Sequence, residues 1–324
     1  NATDSIFLAP CNRLEKLYTN LGVKVQSQVS CYVKFIFPHF STLCAETRLA
    51  HLEYIKDVVL YRLNENDERI IVAALKTLPF IPDASGKLHK ASNFYDPENP
   101  VFKIMLKDNM FPSTPFRESM WLSFLRKLDL KEAVNKNQFL AFAKKIAEDA
   151  ASETTKKLIQ KSETLVRYLL DQSSLHDQNF LESISIIKFV TPQKANDSLQ
   201  ALHPQYRSTG NNRIKFGEFN KAVPSDHERL VWTSATLLSP SIVNEAPSHV
   251  LESLGVLKEP LIEQVLEHTE ILSKTLTKST DKELPSLKRR ELRKVMDDIY
   301  RFCKDKIDCS DSQVIGDDCA ASCK

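Results

Sequence analysis

A unit that recurs along the chain constrains its fold more than any other feature. Leu14-Glu-Lys-Leu-Tyr-Thr-Asn-Leu-Gly-Val-Lys24 resembles Leu122-Ser-Phe-Leu-Arg-Lys-Leu-Asp-Leu-Lys131 and His249-Val-Leu-Glu-Ser-Leu-Gly-Val-Leu-Lys258. Each reads as a short apolar helix that stops at Leu-Gly/Asp-Val/Leu. Gly22 and Gly255 suit the left-handed position that closes a helix, and Asp129 suits it less well. Two copies are followed by amphipathic helices, with stripes at Phe139, Phe142, Ala143 and Ile146 and at Leu261, Ile262, Val265 and Leu266. The starts lie about 108 to 127 residues apart. That exceeds the roughly 20–50-residue periods of solenoids and is enough for a small domain. The third copy breaks off after Leu272, so the chain reads as an excerpt of something longer.

A second element recurs behind the first two starts. In copy one, helices with Leu52, Ile55 and Val59, then Ile70, Ile71, Ala74 and Leu75, turned inward precede Leu78-Pro-Phe-Ile-Pro-Asp-Ala-Ser-Gly-Lys-Leu88. In copy two, helices with Leu158, Leu165, Val166 and Leu169, then Phe180, Leu181 and Ile184, precede Ile186-Ile-Lys-Phe-Val-Thr-Pro192. Both end in a short β-prone run closed by proline, and Asp83-Ala-Ser-Gly86 suits a type I turn. Ile214–Phe216 and Leu230–Thr233 read as two further short strands. The helix from Leu287 to Phe302 carries Leu292, Val295, Met296, Ile299 and Phe302 on one stripe. The expected fold is therefore α+β and mainly α-helical, with tandem helical units and small β-hairpins or short sheets. The first unit spans 1–119, with a hairpin near 80–90. The second spans 120–247, with strands near 186–191 and 214–233. A third begins over 248–303, and 304–324 form a flexible tail.

Composition narrows the function. The six glycines among 324 residues are roughly a quarter of the usual share, and none fall in a GxGxxG or GxxxxGK spacing. Phosphate-cradling loops need such clusters, because backbone N–H groups must approach the anion closely. A net charge of +2 indicates neither a nucleic-acid-binding domain nor an acidic tail. No run of about 18 apolar residues predicts a membrane span. Seven cysteines, three early and four late, suit a reducing cytoplasmic setting better than a disulfide scaffold.

Phe80-Ile-Pro-Asp-Ala-Ser-Gly-Lys-Leu-His-Lys-Ala-Ser-Asn-Phe-Tyr-Asp-Pro97 resembles a motif of the sacsin repeats. So do Leu230-Val-Trp-Thr-Ser-Ala-Thr-Leu-Leu238, Ile187-Lys-Phe-Val-Thr-Pro192 and Leu254-Gly-Val256. The likeness covers about Leu14 to Leu272. It implies a cytoplasmic giant chaperone or co-chaperone, with links to seventy-kilodalton heat-shock chaperones, client proteins, intermediate filaments and mitochondria in neurons. Large repeats of that family begin with a chaperone-type ATPase module. The resemblance places this segment downstream of it, and no nucleotide-binding residue carries over.

Candidate sites are few. Among the late cysteines only Cys319-x3-Cys323 approaches a zinc knuckle, and no histidine follows His268, so free thiols are expected and no metal. Cys31, His39 and Cys44 lie close in sequence, but the expected role of the cysteines is as small buried apolar residues. Lys288-Arg-Arg-Glu-Leu-Arg-Lys294 is the densest charge run, five of seven residues being basic. Lys288, Arg289, Arg290 and Arg293 offer a contact for an acidic partner or a neighbouring domain of the same polypeptide. Without interleaved aromatics the run does not point to nucleic acid. Phe102, Met105 and Met110 mark an apolar, methionine-bearing stretch, read as packing or as a client groove. Trp232 is expected in the core, its N–H satisfied by a backbone carbonyl. The leading expectation is a scaffold or interaction module with no catalytic residue and no cofactor. The other readings are a stand-alone peptide- or filament-binding helical module and an enzyme with an unrecognised Cys/His site.

Overall fold

A computed structural model describes residues 12–22, 27–152, 155–200, 202, 215–277 and 286–321, and the side chains of most of them. It is mainly helical, with two sheets of two strands each among the described residues. The chain divides into two compact units, 1–134 and 135–324.

The first unit holds α1 (Glu15–Asn20), α2 (Gln28–Cys31), α3 (Ala45–Tyr54), α4 (Leu60–Arg62) and α5 (Glu65–Thr77). Asn64 caps α5 by accepting the Asp67 N–H at 3.0 Å, and Glu65, Asp67 and Glu68 crowd its first turn, where the helix dipole favours acid. Leu52, Ile55, Val59, Ile71 and Leu75 fill one core. Ile70, expected inward, is 45% exposed. The buried line of α5 runs through Ile71, Leu75 and Leu78, and a residue one position earlier points about 100° away.

Strands β1 (Ile81–Pro82) and β2 (Leu88–His89) pair antiparallel, Ile81 opposite His89. The connecting turn closes as the sequence predicts. Gly86 donates to the Asp83 carbonyl at 2.9 Å and takes φ +83°. Next come α6 (Pro100–Met105) and α7 (Ser119–Lys127). The latter was expected to open the second unit, and it lies in the first. Trp121, Leu122, Phe124, Leu125, Leu128 and Leu130 share a core with Phe80, Ile81 and Phe94.

The second unit opens with α8 (Lys136–Ser152), α9 (Lys156–Asp171), α10 (Gln178–Ser185) and α11 (Asp197–Gln200). Phe139, Ala143 and Ile146 of α8 and Leu158, Leu165, Val166 and Leu169 of α9 are buried as expected, while Phe142 is half-buried. Buried Ser162 donates to the Phe189 carbonyl at 2.5 Å and accepts the Thr191 N–H at 3.0 Å, which fixes the strand run to α9. Val190 bridges Gly217 antiparallel. Strand β3 (Ala222–Pro224) pairs in parallel with β4 (Thr236–Leu238), and α12 (Glu228–Val231) lies between them in sequence. The expected strand at Leu230–Thr233 is therefore the end of a helix and the following turn. A run this short, with three apolar residues in succession, has no periodicity to separate the two. Of the other expected strand, Ile214 lies outside the described residues, and Phe216 directly precedes the Gly217 bridge.

The unit closes with α13 (Pro240–Glu245), α14 (Ser248–Ser253), α15 (Ile262–Thr277) and α16 (Ser286–Ala321). The stripe of α15 differs from expectation. Val265, His268 and Leu272 face inward, while Leu261, Ile262 and Leu266 are exposed. Hydrogen bonds set this rotation. Gln264 accepts the Leu261 N–H at 3.0 Å, its side chain donates to the Lys221 carbonyl at 3.3 Å, and its carbonyl accepts from Ser234 Oγ at 2.6 Å. The inward side thus mixes Gln264 and His268 with Val265 and Leu272. Residues 304–321, expected as a tail, continue the backbone of α16.

The recurring unit is visible as a joint. In each unit a residue pairs antiparallel (Ile81 with His89 in a hairpin, Val190 with Gly217 in an isolated bridge), and a 3-10 turn follows (Ala91–Asn93, Phe219–Lys221). Later a short helix ends in a left-handed residue, Asp129 at φ 64° after α7 and Gly255 at φ +73° after α14. Leu130 donates to the Leu125 carbonyl at 3.1 Å, and Val256 to the Leu251 carbonyl at 3.0 Å, the long bond of a Schellman ending. Two residues past the left-handed position the chain returns to the extended segment that follows the 3-10 turn. Lys131 donates to the Phe94 carbonyl at 3.2 Å, and Leu257 to the Ala222 carbonyl at 3.0 Å. A strand–turn seat is thus filled by the helix that comes after it.

Candidate interaction surfaces

Helix α16 is held by its inner stripe. Val295 and Ile299 are buried with Leu230, Val231, Trp232, Val265 and Leu272, and Leu292, Phe302 and Cys303 pack at the margin. Arg229 of α12 donates to Asp298 at 3.1 Å and ties the helix to the body of the unit. The outer surface carries the basic run. Arg289, Arg290 and Arg293 are exposed and Lys288 is half-buried. Lys294 donates to Glu291 at 2.7 Å, and that bond holds the Glu291 carboxyl below its ordinary range. Arg289, Arg293, Met296 and Tyr300 recur at i, i+4, i+7 and i+11, so they form one stripe along the helix. Met296 and Tyr300 are among the exposed large apolar residues. Arg289, Arg290, Arg293, Lys294 and Asp297 line a shallow concavity beside it. Apolar spacing in the sequence groups Met296 with the inward stripe and does not single out Tyr300, yet both are exposed. The place of Met296 100° beyond Val295 is the signal that separates it from that stripe.

The other candidate stretch lies in the first unit. Asn99 caps α6 by accepting from Val101 and Phe102. Phe102 is fully buried, its ring 4.8 Å from that of Tyr95, so it anchors the interior. Met105 and Met110 are half-buried. The stretch belongs to the first unit and the α16 residues to the second.

Two polar clusters bind elements together. Arg126 of α7 donates to buried Asp96 at 2.7 Å and to Glu98 at 2.5 Å, locking that helix to the strand–turn seat. The Arg126 bond and a second from Ser119 hold the Glu98 carboxyl below its ordinary range. In the second unit Trp232 is buried as expected, but its indole N–H has no hydrogen-bond partner among the described residues. The ring packs on the His268 imidazole with centroids 4.0 Å apart, and Thr233 Oγ1 lies 2.5 Å from His268 Nδ1. The expected backbone carbonyl is thus not found at the indole N–H among the described residues.

Cys31 is half-buried and Cys44 exposed, contrary to the buried role expected of them. Cys44 sits at the head of α3, where the Thr47 hydroxyl lies 3.0 Å from its Sγ and lowers the thiol pKa from its ordinary value. Among the described residues no cluster of metal-ligating side chains forms. No described helix is long and apolar enough to cross a membrane. Cys11 and Cys323 lie outside the described residues.

No protein-family model matches the chain, and no solved structure does. Sacsin of Homo sapiens is 27% identical over 341 aligned residues, which cover 93% of this chain and 7% of that relative. The similarity runs through both units and marks the chain as sacsin-related, spanning a small part of the relative's length.

Proposed function

We propose that the chain is a non-catalytic scaffold and interaction module of a sacsin-like chaperone or co-chaperone, working in the cytoplasm in support of protein folding and intermediate-filament maintenance. Its partners are other domains of the same long polypeptide, seventy-kilodalton heat-shock chaperones and client proteins. Similarity to sacsin along most of the chain supports the setting. The outer stripe of α16 is the observation that carries the interaction role. Arg289, Arg290 and Arg293 stand beside exposed Met296 and Tyr300, on a helix whose other side is fixed by Val295 and Ile299. Arginine with an aromatic residue and an adaptable methionine is the composition of protein-binding hot spots. The positive charge favours acidic, amphipathic segments and speeds their encounter.

Light scattering of a heat-denatured client tests this. The purified chain should suppress aggregation at near-stoichiometric ratio, equally with and without ATP. Reversing Arg289, Arg290 and Arg293 to Glu should abolish most of the effect, and raised salt should weaken it. Lack of suppression at about tenfold excess over the client, or ATP turnover by the chain, defeats the reading.

A further inference from the structure

Helix α1 stops at a left-handed residue, as α7 and α14 do, without their burial. Gly22 takes φ +70°, matching Asp129 and Gly255, and Leu21 donates to the Leu17 carbonyl at 2.9 Å. Aligned on those left-handed residues, Leu21 corresponds to Leu128 and Leu254, and Leu17 to Phe124 and Val250. All four counterparts are buried, at 4% exposure or less. Leu14, Leu17 and Leu21 are 40%, 50% and 68% exposed. They stand at i, i+3 and i+7, one apolar stripe. Water-facing leucines at this spacing on a short helix are unfavourable alone.

We propose that Leu14, Leu17 and Leu21 are a plug for a further strand–turn seat, carried by a neighbouring segment of the parent polypeptide. The chain itself shows what fills such a position. Each of these two seats is closed by a helix of this design, through buried apolar residues and a backbone bond to the extended segment after the 3-10 turn (Lys131 to Phe94, Leu257 to Ala222). Among the described residues α7 and α14 already occupy both seats, so those residues of a second copy leave none open for α1. The partner is thus a short paired strand followed by a 3-10 turn, lined like the two observed seats by Phe80, Ile81 and Phe94 or by Phe189, Val190 and Phe219.

Hydrogen exchange over Leu17–Leu21 tests the assignment, compared between this chain and the full parent polypeptide. This experiment rests on the module reading above but does not involve client binding, so the aggregation assay stands or falls separately. Exchange should be slower by about tenfold or more in the parent. Leu17→Glu with Leu21→Glu in the parent should restore the fast rate while leaving Leu122–Leu128 and Val250–Leu254 unchanged. Equal rates in the two molecules would overturn the proposal. So would protection in this chain alone that rises with concentration alongside a dimer mass, because the occupant would then be a second copy.

Discussion

At the scale of single residues, two positions turn local chemistry into structure. Asp83 organises the first hairpin. Its carboxylate accepts from the Ser85 N–H and hydroxyl and from the Lys87 N–H, and it meets His89 Nε2 at 2.8 Å. The Ser85 hydroxyl bond first, then His89, holds the carboxyl well below the usual carboxylate range. A group depressed in the folded state adds stability above its unfolded value of about 3.9, and that stability is lost only as pH falls through the folded value. An NMR carboxyl titration should therefore show Asp83 ionised far into acid, with Ser85→Ala moving its midpoint upward. An Asp83 that titrates with ordinary aspartates contradicts this. Gly217 acts through the absence of a side chain. A Cβ there would lie 1.6 Å from Thr236 Oγ1 and 2.7 Å from Thr236 Cβ. Gly217→Ala must displace the start of β4, at a cost of about 1–3 kcal/mol for overpacking. Chemical denaturation should show that loss, and adding Thr236→Gly should recover part of it.

At the scale of elements, the left-handed helix endings are where sequence and structure speak most directly to each other. Asp129 holds φ 64° where the equivalent positions are glycine, and Lys76 bonds its carboxylate at 2.7 Å. A non-glycine residue in that conformation costs about 1–2 kcal/mol. Asp129→Gly should raise the midpoint of denaturation slightly, because relief of strain outweighs a half-exposed ion pair. Gly255→Ala should lower it by about 1–2 kcal/mol, with Asn220 Cβ 3.2 Å from the added methyl group. If the two changes moved stability in the same direction, the shared ending would not be the cause. These stops were legible because glycine before a β-branched residue, repeated in register, has one physical meaning. So were the Asp83–Gly86 turn and the buried faces of α8, α9 and α10, where apolar periodicity is strong. The rotation of α15 was not legible. Leu261, Ile262 and Leu266 outweigh Val265 and Leu272 by hydrophobicity, and bonds from Gln264 and Ser234, remote in sequence, decide the matter. The α16 stripe was half legible. The arginine run announced itself, while Met296 and Tyr300 depend on which neighbour of Val295 meets the core.

At the scale of the whole molecule, the repeat of the sequence and the unit of the fold are out of phase. The sequence repeat begins with the plug helix, so its second copy starts at Leu122. The compact unit instead ends with that helix, and the divide falls after Val134. Pairing explains the shift, because a plug buries its apolar side on the seat that precedes it in the chain. Residues 1–134 should consequently fold alone, with a single cooperative melting transition and helical circular dichroism. Residues 1–119, cut at the boundary that the sequence repeat suggests, should not. That truncation deletes Trp121, Leu122, Phe124, Leu125, Leu128 and Leu130 from the core, and with Arg126 the partner of buried Asp96. Each large apolar side chain contributes about 1.5–3 kcal/mol on burial, against a net stability of about 5–15 kcal/mol for a typical domain. The loss therefore exceeds what a unit of this size can withstand. A cooperative transition retained by 1–119 would show that the seat is complete without its plug, and would place the boundary back where the sequence repeat begins.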